Sequence, residues 1–157
     1  MMKRRGIRRV LTWAAALLIL VAVVPSGFAQ DEDPALYAVG ALGASNLYSS
    51  YVVLATVADG YASRSYSETT ARDLAEESIA LHESSVAALR RLVDLNVVSA
   101  SDRGIVADMI EAHELLIRQA EGLMAYIDDP EDSELFQQYR EAAWEKISTI
   151  LEDSPPE

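Results

Sequence analysis

The stretch "PALYAVGALGASNLYSSYVVLATVA", residues Pro34 to Ala58, runs for 25 residues without a charged side chain in a chain whose residues are 24% charged. It is long enough to cross a bilayer, which needs roughly 20 apolar residues, and equally long enough to be one helix of a bundle. Its polar atoms decide between the two. Asn46, Tyr48, Ser49, Ser50 and Tyr51 gather at the middle of the run, in "SNLYSSY", where a bilayer tolerates polar groups least. Gly40, Gly43 and Ala44 admit close backbone approach, which serves helix pairing in lipid and in water alike. The stretch reads as the first helix of a water-soluble bundle. The competing reading is a two-span membrane protein, with this stretch as the second span and the remaining helices facing the cytoplasm.

The rest of the chain supplies the partners of this helix. Proline occurs only at 25, 34, 130, 155 and 156, and glycine is absent from residues 61 to 103. No alternating apolar-polar run marks a strand. Pro34 suits a first helical turn behind the acidic Asp31 to Asp33, and that helix is expected over about 34–65. Ser67 caps a second, with Glu68 in its first turn, over about 67–98. Ser99 and Asp102 resemble a capping box opening a third over about 100–128, closed before Pro130, and Ser133 caps a fourth over about 133–153. Apolar residues recur at intervals of three and four: Ala75, Ile79, His82, Val86 and Leu89; then Val106, Met109, His113, Leu116 and Ala120; then Phe136, Tyr139, Ala143, Ile147 and Ile150. Each stripe has a polar opposite face, so the helices must bury against one another, and short loops make antiparallel neighbours. The expected fold class is all-α: an antiparallel up-down-up-down four-helix bundle over residues 30–153, preceded by an N-terminal signal peptide and followed by a disordered tail, 154–157.

The signal peptide is read from "MMKRRGIRRV", five basic residues ahead of the apolar run Val10 to Val24, broken by Pro25 and Gly27. Small residues at Gly27 and Ala29 place cleavage after Ala29, so residues 1–29 are the signal and export to the periplasm or beyond is expected. The exported chain then carries eight Lys and Arg against 25 Asp and Glu, a net charge of −17. Such a surface repels nucleic acid and anionic lipid headgroups. Cysteine is absent, which excludes disulfides, thiolate metal sites, c-type haem attachment and a lipoprotein anchor.

The chain has two histidines, His82 and His113, and both fall on apolar stripes. Counted from a turn near residue 99, they lie 17 residues before it and 14 after it, within one helical turn of the same height. Tyr48 or Tyr51 on the first helix and Trp144 on the fourth should reach that height too. A mid-bundle polar layer is expected: His82, His113 and tyrosine hydroxyls, with Asn46 as a further member. The plain use of such a layer is a hydrogen-bonded core pair that fixes helix register. Two imidazoles in a bundle also suit b-type haem or a transition metal, and two mutually titrating histidines suit a pH-sensitive switch. The Glu-x-x-His motif of ferritin-like di-iron bundles is lacking, because residues 79 and 110 are isoleucines. No Gly-rich phosphate loop and no Gly-x-Ser-x-Gly elbow appears.

The function expected from these residues is that of an exported, non-catalytic helical module that binds another envelope protein or a small ligand, without a cofactor. The alternative is a small haem- or metal-binding protein using the histidine pair. Membrane contact is expected only through an uncleaved signal segment or a spanning first helix.

Overall fold

In a computed structural model that describes residues 34–153, the chain forms four helices: α1 (Pro34–Ala62), α2 (Glu68–Asp94), α3 (Arg103–Asp128) and α4 (Glu134–Asp153). The described residues contain no strand, so this part of the chain is all-α. The expected signal peptide and tail lie outside the described residues. Ser67 caps α2 as its position suggests, its hydroxyl accepting the Thr70 N–H at 3.1 Å.

Other helix ends depart from expectation, and the backbone shows why. α1 stops at Ala62 rather than near 65, because Arg64 adopts a left-handed conformation (φ 61°). Arg64 N–H then bonds to Tyr61 C=O and Ser65 N–H to Gly60 C=O, at 2.9 and 2.8 Å. α2 ends in the same manner at Asn96 (φ 52°), with Asn96 N–H on Val93 C=O and Val97 N–H on Leu92 C=O. Both are Schellman closures, which satisfy terminal carbonyls through one left-handed residue. Ser99 caps a turn rather than α3 itself: its hydroxyl accepts the Asp102 N–H at 3.2 Å, and α3 begins only at Arg103. At α4 Ser133 holds the N-cap position, its C=O accepting the Gln137 N–H at 3.0 Å, and the Asp132 carboxylate accepts the Glu134 N–H at 3.1 Å.

α3 is the central element, packing on α2, on α4 and on α1, while α2 and α4 do not pack on each other. Leu47, Leu54, Leu116, Leu123 and Ile147 are sealed from solvent at its centre, each contributing roughly 1.5–3 kcal/mol of burial. Ion pairs fix the flanks of α3: Arg72 and Arg90 of α2 reach Asp128 and Glu114, both at 2.6 Å, and Lys146 of α4 bridges Asp108 and Glu111. At the α3–α4 crossing, a Cβ on Gly122 would lie 2.9 Å from the Phe136 backbone, so glycine sets how closely these helices approach.

α1 takes the fourth place only in part. One stripe, Ala44, Leu47, Leu54, Val57 and Ala58, is buried. Gly43 lies against Met109 of α3, whereas Gly40 faces open space. The opposite face is exposed even where it is apolar: Leu42 is 72% exposed and Val53 is 52% exposed.

Candidate functional site

Two features stand out from ordinary bundle packing: a histidine pair in the seam between α2 and α3, and the outer face of α1.

His82 and His113 project from facing stripes with 0% and 3% exposure. Their Nδ1 atoms lie 2.9 Å apart and their ring centroids 5.1 Å apart. One Nδ1 must carry a proton and the other accept it. The Nε2 atom of His82 is buried without a hydrogen-bond partner among the described residues. An orphaned buried N–H is costlier than an unused lone pair, so the proton is assigned to His82 Nδ1, which donates to His113 Nδ1 and leaves His82 Nε2 bare. Burial disfavours the charged rings and pushes both pKa values down to about 4, with the neighbouring His113 adding to the effect at His82. The pair is therefore neutral at ordinary pH.

This geometry bears on the expected ligands. A metal ion bound to two imidazoles at about 2.0–2.1 Å each, at a tetrahedral angle, holds the nitrogens roughly 3.3 Å apart. The Nδ1 atoms stand closer than that and would have to part to share an ion or flank a haem iron. Among the described residues no group of three or more His, Asp or Glu is arranged to hold a metal.

The expected tyrosine members of the polar layer lie elsewhere. Tyr51 and Tyr48 stack against Trp144 of α4, with centroids 5.3 and 6.4 Å apart, and Asn46 is exposed. Counting residues from the turns brings Tyr48, Tyr51 and Trp144 to one height correctly, as it does the two histidines. It carries no information on direction: the α1–α4 seam and the α2–α3 seam lie on opposite sides of the bundle, so the tyrosines cannot complete the histidine layer.

Sequence reasoning missed Gln119. It is fully buried, and neither its amide nitrogen nor its oxygen has a partner among the described residues. Its position is readable, since Ala112, Leu116, Gln119 and Leu123 continue the three-four spacing of α3, but its polar type hides it among the residues assigned to the outer face.

The exposed face of α1 carries Tyr37, Leu42, Tyr48, Val52 and Val53. Trp144, itself 43% exposed, extends this surface onto α4. α2, α3 and α4 instead turn carboxylates outward, among them Glu76, Glu77, Glu114 and Glu145. No known family, curated protein or solved structure matches the chain.

Proposed function

We propose that the protein is an exported, non-catalytic helical module, periplasmic or secreted, that docks a partner protein on the outer face of α1. One observation carries this reading: in a surface rich in carboxylates, α1 keeps about 30 Å of exposed helix free of charge. A helix apolar on both faces is ordinarily covered on both, and a contiguous exposed apolar patch marks an interaction surface.

By length and composition, residues Tyr37–Ala62, with a mean hydropathy of 1.2, are also sufficient to cross a membrane. The inner stripe of α1 argues against that use. The helices that cover it carry charges such as Arg72, Glu77, Asp108 and Lys146 along their lengths, and these would be drawn into hydrocarbon at a cost of several kcal/mol each. The spacing of the histidine Nδ1 atoms likewise favours a packed pair over a haem or metal centre.

The docking reading is tested by placing a photo-crosslinking amino acid at Leu42 or Val53 in cells that make the full chain. Both positions should yield an adduct, while Glu77 on α2 should not. Absence of any adduct from Leu42 and Val53 would sink the reading.

A further inference from the structure

The outer face of α1 has a relief as well as a polarity. Ala38, Ala41, Ser45 and Ser49 are exposed at helical spacing. Leu42, Val52 and Val53 rise beside this low track, and Trp144 carries the apolar surface across the seam to α4. Leu151, seven residues beyond Trp144 and so on the same side of α4, is exposed too. The combined surface measures roughly 30 by 15 Å, or about 450 Å² on each copy and about 900 Å² in a symmetric pair.

Charge selects the occupant. Residues 34–153 carry eight Lys and Arg against 21 Asp and Glu, and Arg72, Arg90, Arg118 and Lys146 are already paired with the chain's own carboxylates. A partner presenting charge to α1 would lose its hydration there and find no counter-charge on residues 34–58, with Arg140 of α4, one turn before Trp144, at the flank. An anionic membrane is repelled by the acidic flanks. The fitting occupant is a helix face that is itself uncharged, with small residues and apolar ridges in register to interdigitate. Among the described residues α1 presents such a surface. Antiparallel apposition of two α1 helices about a two-fold axis near Tyr48 matches the face to itself, as an isologous contact requires.

We infer that the outer face of α1 pairs with the same face of a second copy, forming a weak two-fold dimer. This rests on the docking reading and adds the identity of the partner. An interface of about 900 Å² stands at the lower edge of specific association, so the dissociation constant should fall at roughly 10–100 µM.

Sedimentation equilibrium tests this on protein exported by cells making the full chain. A monomer–dimer equilibrium in that range is expected, tightening severalfold from 50 to 500 mM salt as repulsion between the acidic copies is screened. Leu42→Glu and Val53→Glu should each weaken it by at least tenfold without changing helical circular dichroism, since both side chains are exposed. Leu95→Glu, exposed at the end of α2, should leave it unchanged. A monomer at 500 µM would overturn the proposal, and so would a dimer that Leu42→Glu and Val53→Glu leave intact. The crosslinker at Leu42 separates the two readings. An adduct with twice the chain mass supports the dimer. An adduct of another mass from a monomeric protein overturns the dimer but keeps the docking face, and a monomer without adduct overturns both.

Discussion

His82 and His113 give the folded chain a dependence on protons that follows from their burial. In the unfolded chain each ring titrates near its ordinary value of 6.5, whereas in the fold burial holds both down to about 4. Above pH 6.5 both states are neutral and the pair adds no pH dependence. As pH falls from 6.5 to about 4 the unfolded chain takes up protons that the folded chain refuses, so stability is lost through that window and levels off below it. The loss is on the order of 3 kcal/mol per ring at its limit. Urea unfolding at pH 7.5, 6 and 5 should show it as a falling midpoint, largely absent from a His82→Leu, His113→Leu double variant. Parallel loss in both proteins would refute the buried pair. Single variants should be less stable than the double, because each leaves one ring nitrogen buried without its partner. Gln119 makes the complementary case: Gln119→Met replaces an unpartnered amide by a thioether of similar shape and should raise stability by about 1–2 kcal/mol in the same urea assay. The histidine contact is legible in the sequence because the height of a residue on a hairpin is a matter of counting. The place of the tyrosines is not, because the direction of a side chain depends on which helix occupies each side of α3, and Gln119 escapes notice because its polar type masks a position on the buried stripe.

At the scale of the element, the three-four spacing dictates the existence and type of α2, α3 and α4, because it states which face must leave water. The ends are harder to read. Glycine is the usual left-handed closing residue, yet α1 and α2 close on Arg64 and Asn96, so no glycine marks where either helix stops. The uncharged α1 misleads in another way. Absence of charge suggests burial all round, but its apolar residues line two faces and the bundle covers one. Gly122 shows how an element contact hangs on a missing side chain. In an exposed helix interior Gly→Ala would gain about 1 kcal/mol of helix propensity. Here the new Cβ meets backbone of Phe136 at 2.9 Å, atoms that cannot rotate away. Gly122→Ala should therefore destabilise the fold by about 1–3 kcal/mol, read as a lower thermal midpoint, and a midpoint equal to or above that of the parent would rule out the close α3–α4 approach.

The whole molecule is governed by its excess of negative charge. Few carboxylates of the described residues meet a cation, and the ion pairs that do form are partly exposed and individually weak. Self-repulsion among the rest opposes the compact state. Raising salt from 20 to 500 mM should accordingly raise the thermal midpoint of a dilute sample, in which dimers are dissociated; a falling midpoint would mean that the ion pairs along α3 outweigh the repulsion. The acidic surface also narrows what can approach, and it leaves the charge-free track of α1 as the place where two such molecules meet without like charges in contact.

The seat of α1 has a consequence for how the chain assembles. α3 holds α2 and α4 through broad contacts, whereas α1 lies on the others through narrower ones. All three connections, 63–67, 95–102 and 129–133, are short, so local encounters favour each hairpin and breadth of contact separates them. α1 is the member with least to gain from arriving early. The three-helix core is then expected to form the nucleus of folding, with α1 settling onto it afterwards. α1 is also the first to leave, and in native-state hydrogen exchange its amides belong to the least protected cooperative unit.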